Sequence, residues 1–201
     1  MKSLIANGTE LLSDDSEPPR IVIALDIDGV LSRQIDDVEL QHAPDDYADV
    51  SFGAAWVDDH QGTTRLLHTA PAVTVELDEI VQPTGVQLLW VTAAPRFVPR
   101  AVELAFGGRL ADGVVLVDEH GQSNWKMVVL LDYLESVGSP AFVWADNSAI
   151  EFAFRVSPAF RGGDIGPRQR LLISPDPAIG LTLDDVEVIR DFVQGVLGGK
   201  Q

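Results

Sequence analysis

Five short apolar runs punctuate the chain: Ile21-Val22-Ile23-Ala24-Leu25, Val86-Gln87-Leu88-Leu89-Trp90-Val91, Val114-Val115-Leu116-Val117, Ala141-Phe142-Val143-Trp144 and Arg170-Leu171-Leu172-Ile173. They are mostly continuous rather than alternating. Strands buried on both faces read this way, as in a parallel sheet. Helical stretches lie between them. One runs from Val98 to Phe106. A second runs from Trp125 to Val137, with Val128, Leu131, Leu134 and Glu135 at helical spacing. A shorter one covers Ala149 to Val156, and Asp184 to Leu197 closes the chain behind a cap at Thr182. Strands alternating with helices predict an α/β fold, a Rossmann-like open parallel sheet with helices on both faces. Ligands of such sheets sit beyond the carboxyl ends of the strands.

The segment from Leu31 to about Val75 breaks this alternation. It is acidic, with Asp36-Asp37, Asp45-Asp46 and Asp58-Asp59. Ala54-Ala55-Trp56-Val57, the turn-rich Asp58-Asp59-His60-Gln61-Gly62 and then Thr63 to His68 predict a hairpin. The segment is too small for a second large domain. We therefore expect one core domain over 20–201, a small flap inserted at about 31–75, and a loose leader over 1–19 ending in Ser16-Glu17-Pro18-Pro19. No internal repeat or low-complexity stretch interrupts this plan.

Composition narrows the chemistry. The 201 residues include no cysteine, which excludes disulfides, thiolate nucleophiles and sulfur-ligated metals. No apolar run approaches the roughly 20 residues needed to span a bilayer, and the start does not read as a signal peptide, so a cytoplasmic protein with no membrane partner is expected. The net charge is −17. Residues 1–85 carry 17 Asp and Glu against 4 Lys and Arg, whereas residues 86–201 carry 14 against 10. Such a surface repels nucleic acid and offers no basic stripe to a phosphate backbone.

The strand ends hold the candidate chemistry. The first run ends Leu25-Asp26-Ile27-Asp28-Gly29-Val30. Asp26 and Asp28 are two apart, so both carboxylates project to one side if strand geometry persists. Two like charges there are costly unless something positive lies between them, and Mg²⁺ is a natural oxygen-seeking partner. The second run ends at Thr92, whose hydroxyl beside backbone N–H groups suits a phosphate oxygen. Asn124-Trp125-Lys126 opens the long helix. A lysine in a first helical turn opposes the dipole, which makes sense if an anion sits there. The fourth run leads to Asp146-Asn147-Ser148, a further carboxylate at the same sheet edge. Taken singly, each has a plainer reading. Asp-x-Asp-Gly is a common turn, Thr92 a helix cap, Lys126 a solvated side chain, and Asp146 a cap for the helix near Ser148. A calcium loop does not fit, because Val30 and Leu31 fall where polar residues or glycine belong. The order of the four is what lifts them.

This constellation resembles the haloacid dehalogenase superfamily, whose four signatures match Asp26-Ile27-Asp28-Gly29-Val30, Thr92, Lys126 and Asp146 in order over residues 21–175. Leu89-Trp90-Val91-Thr92, Asn124-Trp125-Lys126 and Phe142-Val143-Trp144-Ala145-Asp146 also look like a small bacterial branch that occurs fused to RNA-repair modules. Ser174-Pro175-Asp176-Pro177 and Gly180-Leu181-Thr182 fit its C-terminal part. The resemblance implies a Mg²⁺-dependent phosphohydrolase acting on a small phosphorylated molecule. Asp26 would be the nucleophile that forms an aspartyl-phosphate, and Asp28 the acid and base. Thr92 and Lys126 would hold phosphoryl oxygens, and Asp26, Asp28 (through its carbonyl) and Asp146 would hold the metal. The fourth signature often carries a second acid. Here Asn147 stands beside Asp146, and Glu151 is the later candidate, so both are support residues at most. The short flap matches the family's first cap position.

Two rival readings remain at the sequence level. One is a non-catalytic binding or regulatory module on the same fold, suggested by Asn147 and the acidic surface. The other is a polynucleotide end-phosphatase, suggested by the RNA-repair branch and opposed by the net charge. Arg96 is read as a surface residue within reach of substrate. His42, His60, His68 and His120 lack ligand spacing. Trp90 and Trp144 are expected in the core, and Trp56 on the flap is free to stack on a base or sugar.

Overall fold

The computed structural model describes residues 17–34, 51–59, 61–117, 125–151 and 169–199. Five strands form one sheet: β1 (Ile21–Leu25), β4 (Val86–Trp90), β5 (Val114–Val115), β6 (Ala141–Ala145) and β7 (Arg170–Ile173). Their spatial order is β5-β4-β1-β6-β7, and every pairing is parallel. The chain moves outward from β1 to one edge, returns, and then builds toward the other edge. This is the Rossmann-like arrangement that the apolar runs predict, with its reversal point beside β1.

Both faces of the sheet are covered, which explains the unbroken apolar runs. Ile21, Ile23 and Leu25 join Trp90, Val143 and Ala145 in one buried cluster. That cluster is closed by two helices, α1 (Pro71–Val81) and α4 (Leu183–Gly198), through Val73, Leu77 and Ile80 and through Val186, Ile189 and Val193. Val22 and Ala24 face the other way, with Leu89, Phe142 and Trp144, onto the helix α3 (Trp125–Ser136). Trp90 and Trp144 are fully buried, as expected.

Two expectations about helices need correction. Helix α1 lies partly inside the segment expected to be insert, where the apolar pattern predicts no helix. It starts at Pro71 with no side-chain cap on Ala70 and ends without a terminal glycine, so neither boundary carries its usual signal. Its buried residues are nonetheless at helical spacing. In α3 the inward stripe is Met127, Leu130, Tyr133 and Leu134, while Val128 and Leu131 are half-buried and Glu135 is exposed. The helix was placed correctly, but its phase was off by one position.

Other elements fall close to their expected places. The helix over Val98 to Phe106 is a short α-helical turn, α2 (Val98–Arg100), continued by a π-helical turn at Ala101–Ala105. Phe106 N–H there donates to the Ala101 carbonyl, five residues back, and the Phe106 ring stacks on Trp90 with centroids 5.8 Å apart. Thr182 caps α4 through a capping box with Asp185. The helix expected from Ala149 is helical as far as Glu151, and its remainder lies outside the described residues. So do residues 1–16 of the leader and the acidic pairs 36–37 and 45–46.

The hairpin of the insert forms as β2 (Gly53–Asp58) and β3 (Thr64–Thr69), antiparallel, with Val57 opposite Arg65 and Trp56 opposite Leu66. Val57 and Leu67 are buried on its inner face, while Trp56 on the outer face is 66% exposed. The inner face packs toward the π-helical turn, where Thr69 donates to the Ala105 carbonyl. Among the described residues no helix is long and apolar enough to cross a membrane.

The turn after β1 is clamped from the far end of the chain. Leu181 N–H donates to the Val30 carbonyl at 2.7 Å, and Gln34 N–H donates to the Pro177 carbonyl at 2.7 Å. Gly180 holds a positive φ of 79°, and a Cβ there would lie 2.6 Å from the Val30 oxygen. Gly180→Ala should therefore lower stability by about 1–3 kcal/mol, read as a drop in the chemical-denaturation midpoint at unchanged slope.

Candidate functional site

Parallel strands place all their carboxyl ends on one edge, and the ladder continues one residue past three of them. Asp26 N–H donates to the Ala145 carbonyl at 3.0 Å, Asp146 N–H to Ile173 at 3.1 Å, and Val91 N–H to Leu25 at 2.9 Å. This fixes the backbones of Asp26 and Asp146 in register before either side chain makes a contact. By strand alternation both residues continue the parity of Ala24 and Trp144, toward the face that α3 covers. Lys126 sits in the first turn of α3 and meets them there.

Its ammonium is the hub of the site. Lys126 Nζ donates to Asp26 Oδ2 at 2.5 Å and to Asp146 Oδ2 at 2.7 Å. Asp26 is almost wholly buried, Asp146 is wholly buried, and the lysine side chain is 15% exposed. The Thr92 hydroxyl, also fully buried, favours the ionised form of the Asp26 carboxyl and accepts from Ala94 N–H at 3.3 Å. Asp26 Oδ1 accepts from Ile27 N–H at 2.7 Å. Asp146 Oδ1 accepts from Ser148 N–H at 2.9 Å and from its hydroxyl at 2.6 Å. Asp146 therefore caps the turn at Ser148, its plainer reading, and also faces Lys126.

Burial sets the protonation balance. Desolvation pushes the Asp26 carboxyl above the ordinary carboxylate range, Asp146 adds to this, and Lys126 and Thr92 oppose it without cancelling it. Burial pulls the Lys126 ammonium down, but Asp26 and Asp146 outweigh that and hold it above the usual lysine range.

Asp28 takes a different partner. Its Oδ1 forms an ion pair with Arg65 Nη2, from the inner face of β3. The Arg65 guanidinium also lies over the Phe97 ring, 5.4 Å from its centroid. The positive charge that two neighbouring aspartates demand is thus supplied by two side chains, Lys126 for Asp26 and Arg65 for Asp28. Arg65 belongs to no motif. Only the hairpin's register turns it inward, which no local pattern in the sequence marks.

The remaining candidates fall as follows. Gly29 adopts φ +72°, and a Cβ on it would come within 2.9 Å of the Asn147 amide nitrogen, so Asn147 packs against the turn after β1. Glu151 is exposed on the turn that Asp146 caps. Arg96 is exposed and donates to the Gln61 side chain at 2.7 Å, linking the hairpin turn to the segment after Thr92. His68 is half-buried on the hairpin, and Asn124, His42, His60 and His120 lie outside the described residues.

The donor set can be tested against a divalent cation. Asp26 and Asp146 each turn one hard carboxylate oxygen to Lys126 Nζ, and Mg²⁺ commonly takes one or two carboxylates and completes its shell with water and substrate oxygens. Two carboxylates against one ammonium leave a negative balance that a cation would reverse. The residues therefore fit Mg²⁺ as a two-carboxylate site. Among the described residues no group of three or more His, Cys, Asp or Glu side chains is gathered closely enough to hold a metal. The Asp28 carboxylate is turned to Arg65 instead.

The pKa directions carry a stability consequence. A carboxyl whose folded pKa is raised contributes most while protonated, and stability falls as pH rises through its folded value. Asp26→Asn removes that loss, so at pH 7 it should unfold at the same or higher denaturant concentration than the wild type. An ammonium with a raised pKa stabilises below its unfolded value and loses this only as pH climbs through the folded one. Lys126→Met should leave two buried carboxylates facing each other and cost about 3 kcal/mol at pH 7, measured by the same titration.

Among known proteins, no family model matches the chain and no curated protein matches it. Among solved structures the chain is similar to a probable YrbI family phosphatase from Pseudomonas syringae pv. phaseolica 1448A. The TM-score is 0.42 and the identity 12%, over 90% of this chain and 88% of that one. A likeness at that level assigns no function, and the functional reading rests on the site itself.

Proposed function

We propose that the chain is a magnesium-dependent phosphohydrolase that cleaves phosphate monoesters through an aspartyl-phosphate on Asp26. One observation carries the reading. Residues 26, 92, 126 and 146, distant in sequence, meet at one edge of the sheet, with Lys126 between two buried carboxylates. A buried ion triad of this kind is costly to desolvate and contributes little to stability over an apolar alternative. Its chemistry, a nucleophilic oxygen beside an ammonium and a hydroxyl, suits transfer of a phosphoryl group.

In this reading Asp28 first leaves Arg65 and takes a proton from solvent; an Asp26 oxygen then attacks phosphorus as the ester P–O bond breaks, and Asp28 gives that proton to the departing alkoxide. Asp28 then takes a proton from water, whose oxygen attacks the same phosphorus. The aspartyl P–O bond breaks, releasing orthophosphate and restoring the Asp26 carboxylate. Lys126 turns from Asp26 to the phosphoryl oxygens while keeping its bond to Asp146, and the Thr92 hydroxyl donates to the same oxygens. Asp26, Asp146 and the Asp28 carbonyl would hold Mg²⁺. When bound, the ion would neutralise phosphoryl charge and reduce the repulsion between the anionic substrate and the carboxylates.

A second reading, a binding module without turnover, is favoured by a specific observation. All three carboxylates already have cationic partners, Asp26 and Asp146 through Lys126 and Asp28 through Arg65. The two readings separate in one assay. Under the first, p-nitrophenyl phosphate is hydrolysed with Mg²⁺ and activity disappears on chelation. Asp26→Asn then lowers turnover by at least about a thousandfold, and Asp28→Asn by about a hundredfold. Phosphate binding without turnover would favour the second, and full activity in Asp26→Asn would remove the nucleophile.

A further inference from the structure

We propose that Arg65 is a specificity residue, and that the preferred substrates carry a second anionic group, a carboxylate or another phosphate, a few bonds from the scissile ester. The proposal rests on the phosphohydrolase reading and adds a substrate class to it.

Arg65 faces Val57 across the β2–β3 pair, on the side that also buries Leu67, so it points inward while Trp56 and Leu66 occupy the other side. From there it reaches Asp28, two residues from the nucleophile. Phe97, in the segment that follows Thr92, lies under the guanidinium plane. The head group is therefore held between an ion-pair partner and an aromatic ring. A planar guanidinium presents five N–H donors in a fixed fork, a geometry matched to carboxylate and phosphate oxygens.

The two cations of the site differ in availability. Lys126 is enclosed by two buried carboxylates, and separating it from both would strand charge away from water. Arg65 and Asp28 are 31% and 20% exposed. An ion pair at that exposure is weak, because solvent screens it and can replace either partner. An incoming anion can thus take over Arg65 donors at little cost, and the Asp28 carboxylate stays in contact with water. Of the two cations, Arg65 is the one that can leave its carboxylate altogether, whereas Lys126 keeps Asp146 when it turns to the phosphoryl group.

Charge makes such a contact selective. The chain carries −17 and repels polyanions at a distance, so a multiply charged substrate needs a local cation where it docks. A neutral leaving group gains no ionic contact from Arg65. An anionic one gains a charge-assisted, two-pronged contact beside the reacting ester.

Two substrate pairs of similar shape test this: phosphoglycolate against ethylene glycol monophosphate, and 3-phosphoglycerate against glycerol 3-phosphate. With Mg²⁺ the wild type should favour the acidic member of at least one pair by at least about tenfold in kcat/KM. Arg65→Met should bring that ratio near one, chiefly through KM, and Arg65→Lys should restore part of it. Thermal melts identify any variant that fails to fold, in which case Arg65→Gln takes its place. Ratios near one throughout in the wild type, or a preference that survives loss of the guanidinium, would overturn the proposal. If p-nitrophenyl phosphate is turned over without any acidic preference, only this proposal fails. If nothing is hydrolysed, the phosphohydrolase reading fails, and calorimetric titration with the same pairs decides the anion site. Tighter binding of the acidic member that depends on Arg65 supports it, and equal binding refutes it.

Discussion

The structure turns on one ammonium group. Lys126 Nζ lies between the Asp26 and Asp146 carboxylates, deep enough that water cannot screen them from each other. Remove its charge and two buried anions face each other at the centre of the sheet edge. Much of the surrounding architecture serves that placement. The parallel ladder brings β1 and β6 side by side, their alternation aims Asp26 and Asp146 at the face covered by α3, and α3 begins where its second residue can reach both. A lysine so early in a helix opposes the helix dipole, and two carboxylates more than compensate.

A second layer of contacts belongs to the hairpin. Arg65 pairs with Asp28, Arg96 meets Gln61, and Arg100 meets Asp58 at 3.4 Å. These are polar and partly exposed, in contrast to the buried triad. Beside the buried packing of Val57 and Leu67, the hairpin is thus fastened by polar contacts that water and ligands can compete for. The Asp26 side of the site is fixed by burial, and the Asp28 side by partly exposed pairs.

Much of this was legible in the sequence, for a physical reason. A strand buried on both faces has no polar positions to spare, so its apolar run is unbroken and ends sharply where the chain emerges. Asp26, Thr92 and Asp146 were found because each stands at such an end. Lys126 was found because its charge contradicts its helix position. Signals of this kind are local. Helix α1 was missed because its ends lack a side-chain cap and a terminal glycine, and the phase of α3 was misjudged because its apolar residues surround most of the helix. Arg65 was missed because nothing local marks it. Its role depends on the pairing of β2 with β3 and on Phe97 approaching from another segment, which are tertiary facts. The Asp28 carboxylate shows the same limit. Its spacing from Asp26 suggested a shared cation, whereas the fold gives it a separate partner.

The central claim is that Asp26 is a phosphoryl acceptor beside Lys126 rather than one member of an inert ion triad. Beryllium fluoride with Mg²⁺ tests it directly, because BeF₃⁻ bonds to an acceptor carboxylate as a phosphoryl group does. The account predicts protein-bound fluorine resonances in the ¹⁹F NMR spectrum of the wild type, lost in Asp26→Asn and restored by no excess of reagent. A wild-type spectrum showing only free fluoride species, or bound signals that persist without the Asp26 carboxylate, would contradict it.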